Sequence, residues 1–283
     1  FEWRRRAVSF YKSKKLVRRC AEDGAPLSDW VCAEEEGGIP DDSDLYTFED
    51  QILIELKSPW CDYPTGSLVA VGFDDWAARG AKAAVSPLFL PSDRVSLGGV
   101  TRTKNYMIVK ALDEVKPTHA FWKYEAGTWV KESEETVGSI RDVGLRAVDD
   151  DVSDEMFVTT SSYTEPSTLT FGDASNGAEG LSVDSGKLEV LRQLPHMFDA
   201  SGVVTSQGMA RSKDGTMVPY FLIGKESENN EPVPTLLYGY GGFEISMTPG
   251  YSATVGAGWL EKGYTYAVAN IRGGGGFGPM GNQ

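Results

Sequence analysis

The chain has 283 residues, 41% hydrophobic and 24% charged, enough apolar material for one large domain or two ordinary ones. It holds no apolar run of about 18 residues, the length a bilayer-spanning helix needs. A formal net charge of -14 argues against general nucleic-acid affinity, which requires a surplus of Lys and Arg.

From the start, WRRRAVSFYKSKKLVRRC gathers Arg4, Arg5, Arg6, Lys12, Lys14, Lys15, Arg18 and Arg19 around apolar residues. Such a segment could touch membrane or RNA. The reading preferred is a hairpin of a larger sheet with a basic outer face. The first residue is Phe1, so the start reads as that of a processed or incomplete product, with room for a leader upstream. Cys20, Cys32 and Cys61 are odd in number and show no CxxC spacing, so they read as idle thiols, neither a disulfide framework nor a zinc site. His119, in the alternating stretch KPTHAFW, and His196, in LPHMFD, are the only histidines and lie in unrelated contexts, so no metal site and no cofactor are expected.

The first two thirds show short runs of β type separated by turn residues. EDQILIELK (49–57), KNYMIVKAL (104–112) and DEMFVTTSS (154–162) resemble one another. So do SLVAVGF (67–73), HAFWKYE (119–125) and STLTFGD (167–173), with AVSFYKS (7–13) as an expected earlier member. A β-only unit recurring at roughly 50 residues marks propeller blades better than a sandwich, and the stretch before residue 198 would hold about four of them.

Around LRQLPHMFDASG the character changes. GVVTSQGMARSKDGTMVPYFLIGK alternates on either side of Asp214-Gly215, a two-residue hairpin signal. PTLLYGYGG and YTYAVANIRGGGG are compact apolar runs that read as buried strands, with YSATVGAGWLEKG as the helix between them. Strand, helix and strand with glycine-rich exits is the opening of a parallel α/β sheet, whose sites lie outside the carboxyl ends of its strands.

Two motif matches are weak. Residues 273–278 fit GxGxxG, but a glycine run fits many patterns and no acidic residue follows at the required distance. GYSAT (250–254) nearly gives GxSxG, yet Ser252 reads better as a helix N-terminal residue.

LLYGYGGFEISMTPGYS followed by AVANIRGGG, with FDASGVVTSQGMARSKDGTMVPYF before it and SSYTEPSTLTFGD earlier, resembles the prolyl oligopeptidase family of serine peptidases. The resemblance implies about four of seven propeller blades over residues 1–197, then the N-terminal strands of an α/β-hydrolase domain over 198–283. It also implies a serine-type oligopeptidase that cleaves short peptides after proline through an acyl-enzyme, monomeric when complete; few cysteines and the acidic balance point to a cytoplasmic location. By that resemblance Tyr240 matches the tyrosine whose hydroxyl helps form the oxyanion hole, and Phe243 the phenylalanine lining the pocket for the residue before the scissile bond. Tyr238 is read as packing and Arg272 as a structural ion-pair residue bordering the site. The family's Ser, Asp and His lie in later segments than any matched here, so these residues alone are expected to be inactive, and to associate through uncovered apolar faces. Gly276 stands where the family usually has Glu, and Met280-Gly281-Asn282 also departs from its pattern. The alternative to an enzyme is a non-catalytic, propeller-based interaction module.

Overall fold

The computed structural model describes residues 1–35, 38–226, 232–243, 245–273 and 275. It forms two compact units, Phe1–Pro91 and Ser92–Gln283.

The first unit holds a three-stranded antiparallel sheet of β1 (Glu2–Ala7), β2 (Ser13–Arg18) and β3 (Val31–Cys32). A four-stranded meander follows: β4 (Asp44–Phe48), β5 (Gln51–Glu55), β6 (Leu68–Gly72) and β7 (Val85–Phe89), with α1 (Phe73–Arg79) between the last two. The central strands QILIE and LVAVG are near-continuous apolar runs because both their faces are buried. Ile52, Ile54, Val69 and Val71 pack with Phe73 and Trp76 in one core that also takes Val17 and Val31.

The basic segment is a hairpin, β1 against β2, with Arg6 opposite Lys14 and Glu2 opposite Arg18. Its charges are largely answered locally. Arg18 Nε donates to Glu2 at 2.7 Å, Arg19 pairs with Asp74 at 2.7 Å, and Lys12 with Asp41 at 3.2 Å. The guanidinium groups of Arg4 and Arg18 stand 4.3 and 4.6 Å from the Trp30 ring. AVSFYKS is not a strand of the repeating series. Residues 8–12 form the tip of this hairpin, closed by Val8 N donating to Lys12 O, and Val8, Phe10 and Tyr11 are exposed there. A run of mixed apolar residues in a short turn has no face to bury, which period alone does not reveal.

In the second unit, β8 (Val95–Arg102), β9 (Met107–Asp113), β10 (Lys116–Glu125) and β11 (Thr128–Thr136) form one four-stranded meander. β12 (Asp142–Ala147), β13 (Glu155–Ser161), β14 (Thr168–Asp173) and β15 (Glu189–Gln193) form the next, with α2 (Gly177–Leu181) before its last strand. The recurring sequence runs are the second and third strands of the three meanders, which begin at residues 44, 95 and 142. Sheet packs on sheet through Tyr106, Ile108 and Phe121 against Val143, Met156 and Val158.

Polar contacts cross the same joint. Asp154 accepts from Thr103 Oγ1 at 2.7 Å and from Asn105 Nδ2 at 2.6 Å. Burial alone would raise the Asp154 pKa, and these donors outweigh it, leaving the carboxyl below its ordinary value. Lys110 Nζ reaches across to Asp142 at 2.7 Å and to the Val143 carbonyl at 2.9 Å. His119, paired in register with Lys110 and Glu135, is 2% exposed and its Nε2 has no hydrogen-bond partner.

The last sheet has the order β16-β17-β19-β18: β16 (Val203–Arg211), β17 (Met217–Lys225), β18 (Thr235–Gly239) and β19 (Thr265–Ala269), with α3 (Ala253–Gly258) between β18 and β19. β17 pairs antiparallel with β19, and β18 parallel to it. The Asp214-Gly215 hairpin forms, but with a longer tip than two residues. Ser212 N donates to Thr216 O, Gly215 N to Ser212 O, and Gly215 takes φ +92°. The helix is as expected, with Ser252 as its N-cap accepting from Val255 N at 3.3 Å, which rules out a strained nucleophile turn at GYSAT.

His119 carries a pH prediction. Burial, aided by the charge of Lys110, pushes its pKa down to about 4, against the opposing pull of Asp142. The unfolded chain, with a histidine near 6.5, takes the proton first as pH falls. Stability is therefore full above about pH 6.5 and declines towards pH 4, by about 2 kcal/mol at pH 5. Urea midpoints at pH 7 and pH 5 should differ less for His119→Gln than for the unaltered chain; equal differences would refute the assignment.

Candidate active site

The parallel pair β18 and β19 sets the geometry. Their register runs from Thr235 opposite Thr265 to Gly239 opposite Ala269, so both strands stop at the same level and leave at the same carboxyl edge. One exit is Tyr240-Gly241-Gly242-Phe243 and the other Asn270-Ile271-Arg272-Gly273.

The two exits are in backbone contact, which explains the glycines. A Cβ on Gly241 would overlap the carbonyl oxygen of Arg272, and one on Gly273 would overlap the carbonyl oxygen of Gly241. Gly273 also has φ +87°, a conformation L side chains rarely adopt. A Cβ on Gly242 would stand 2.8 Å from the Tyr240 hydroxyl. The phenol is thus folded over Gly242, half-buried at the end of the strand and outside the described core cluster of Phe221, Ile223 and Val268.

Phe243 follows with φ +56° and its side chain 63% exposed. A non-glycine residue in that region carries strain of about 1–3 kcal/mol, which clusters at functional sites. The loop after it is tied to the end of β19 by Asn270, a buried residue whose Oδ1 accepts from Met247 N at 2.8 Å while Nδ2 donates to Met247 O at 3.3 Å. Asn270 was missed in the sequence, although an amide directly after a buried β run and before glycines was the available signal.

Arg272 is an ion-pair residue, as its sequence reading has it. Its guanidinium pairs with the Asp214 carboxylate and approaches Ser212 Oγ at 3.3 Å, both on the β16–β17 hairpin tip. The hydrogen bond from Arg272, then that from Thr216 N, hold the Asp214 carboxyl well below its usual range.

β18 is not the buried strand its composition indicated. Every residue of it is exposed, with Leu236 at 41%, Leu237 at 70% and Tyr238 at 45%. As the outer strand of its sheet, it has no described neighbour on its far side, so apolar content did not translate into burial. Tyr238, read as packing, shares that exposure.

No described metal-ligating group includes a histidine: the acidic triplet Asp149, Asp150 and Asp151 is met by Arg102, whose Nε lies 2.8 Å from Asp150. His196 is exposed and 3.7 Å from Glu165. A cavity of about 790 Å³ opens beside the β13–β14 turn, lined by Ser161, Ser162, Thr164, Glu165 and Thr205, and neither Tyr240 nor Phe243 lines it. The GxGxxG match and the departures at Gly276 and Met280-Gly281-Asn282 fall outside the described residues, apart from Gly273 and Gly275.

Comparison with known proteins finds peptidase relatives. An uncharacterized peptidase of Sinorhizobium fredii is 38% identical over 240 residues, 82% of this chain and 31% of the relative. A prolyl endopeptidase of Elizabethkingia miricola is 44% identical over 98 residues, 34% of this chain and 14% of the relative. The chain is a relative of the prolyl oligopeptidase peptidases.

The fold agrees. A post-proline cleaving enzyme from Rickettsia typhi superposes with a TM-score of 0.79 at 23% identity, over 99% of this chain and 39% of that one. The chain therefore spans about a third of the length of the first curated relatives, and its meanders correspond to part of the N-terminal propeller of prolyl oligopeptidases. No family model matches the chain.

The glycine contacts predict that Gly241→Ala and Gly273→Ala each cost about 1–3 kcal/mol, because backbone must move to admit a methyl group. Gly258→Ala, with open space around it, should change stability by less than about 0.5 kcal/mol. Urea denaturation of the three variants tests the ranking; equal midpoints would mean the exits are not in contact.

Proposed function

We propose that this chain supplies the opening part of the active site of a serine oligopeptidase that hydrolyses short peptides after proline. The observation carrying the proposal is the half-exposed Tyr240 phenol at the carboxyl edge of a parallel strand pair, fixed by backbone packing on one side and lying over Gly242 on the other. Peptidase relatives supply the reaction class.

Acyl transfer places negative charge on the carbonyl oxygen of the scissile bond. A donor already aimed at that position gains strength as the charge develops and costs no reorganisation then. Tyr240 is suited to this: its ring is rigid, its backbone is held by the neighbouring exit, and no side chain at Gly241 or Gly242 crowds the approach. Phe243 would offer its exposed ring to the substrate's proline, apolar ring against apolar ring. The nucleophile, the acid/base and the acid that orients it would be Ser, His and Asp, following one another along the chain as Ser, Asp and then His, the order of α/β-hydrolases. We take residues 1–197 as propeller and 198–283 as the start of the hydrolase domain, and the compartment as cytoplasmic. None of the matched positions supplies the triad, so these 283 residues alone should not turn over substrate.

A chromogenic proline-ester peptide tests the proposal. The 283-residue chain should give no burst of leaving group. A longer form carrying this segment should cleave the peptide and be blocked by a serine-directed phosphonate. In that form Tyr240→Phe should lower kcat by about 10²–10³-fold with KM little changed. Unchanged kcat would remove Tyr240 from the oxyanion site, and absence of cleavage by the longer form would favour the interaction module.

A further inference from the structure

We propose that Arg272 and Asp214 act as a positioning clamp that sets where the Tyr240 phenol stands; the catalytic meaning of this, though not its geometry, rests on the reading of Tyr240 above. The pairing of β17 with β19 delivers the contact. Ala269 lies opposite Tyr220 and Asn270 N donates to Pro219 O, so continuing along β19 brings the chain beside the start of β17 and the hairpin tip.

There the Arg272 side chain meets two residues of the tip, Asp214 and Ser212. Asp214 is itself fixed, its other oxygen accepting from Thr216 N at 3.1 Å. The backbone of the same arginine is the surface on which Gly241 rests, with the Ile271 side chain against Gly241 and Gly239. A displacement of Arg272 is thus passed by hard contact to the residue next to Tyr240, and Gly242 beyond it carries the hydroxyl.

Energetics separate this role from a structural one. The two charged side chains are 47% and 48% exposed, a setting in which an ion pair adds little to stability. Removing it should leave the fold intact and move the exit. Beyond the end of the β18–β19 ladder at Gly239 and Ala269, the other described hydrogen bonds on the exits run from Asn270 to Pro219 and Met247 and from Ile245 N to Gly242 O, and none of them involves Arg272.

The test is ¹⁹F NMR of the full chain labelled with 3-fluorotyrosine, with Tyr240 among the 12 tyrosines assigned by the signal lost in Tyr240→Phe. Asp214→Asn and Arg272→Gln should each shift the Tyr240 resonance and leave the tyrosines of the first unit in place. The exchanged pair, Asp214→Arg with Arg272→Asp, should bring it back. As a check that needs no variant to fold, salt raised to about 1 M on the unaltered chain should move the resonance in the same direction, since a half-exposed pair is screened. A Tyr240 signal unmoved by either folded single variant, or by salt, would overturn the clamp. Failure of the oxyanion reading shows differently, as Tyr240→Phe with undiminished kcat in a cleaving form.

Discussion

The contact between two stretches of backbone at the end of a parallel strand pair is the constraint on which the rest of the site depends. Gly241 lies on the Arg272 carbonyl, and Gly273 on the Gly241 carbonyl. Side chains at either place would separate the exits by more than an ångström, a distance over which an aimed hydrogen bond loses most of its strength. Glycine costs conformational entropy in an exit loop. Here that cost is offset by placing Tyr240 at the strand end without attaching it to the core.

The surrounding architecture serves this arrangement by fixing both ends of each exit. β19 is central in its sheet, paired on one side to β17 and on the other to β18. Asn270, buried just past it, holds the Met247 loop, while Tyr251 N donates to Ser161 Oγ at 3.1 Å and Tyr251 Oη accepts from Met197 N. Phe198 stacks on Tyr251 at 5.1 Å and covers Gly256 of α3, where no Cβ would fit. The last sheet is thereby joined to the preceding meander through a core that includes Tyr163, Phe221, Ile223 and Val268.

Much of this was legible in the sequence, for identifiable reasons. Strands buried on both faces write themselves as apolar runs, so QILIE and YMIVKAL stood out, and EMFVTTS, with Met156 and Val158 buried on one face, shared their spacing, which gave the meanders. The capping hydroxyl of Ser252 and the glycine exits were likewise local signals. What failed were inferences from apolarity to burial. AVSFYKS proved to be a hairpin tip and LLYG an exposed outer strand, because burial depends on what lies beside a segment, which composition does not record. Asn270 and the reach of Arg272 to Asp214 depend on strand register, a non-local property. The domain division at 198 and the functional roles of Tyr240 and Phe243 were carried by resemblance to a family, and relatives of that family are what the comparisons return.

The account's central claim is a distance inside one loop, and nuclear Overhauser contacts of the Tyr240 ring report on it most directly. It predicts contacts from the ring protons to the α protons of Gly242, with Gly241 α protons in contact with those of Gly273. Ring contacts to core methyl groups such as those of Ile223 or Val268, with none to Gly242, would contradict it.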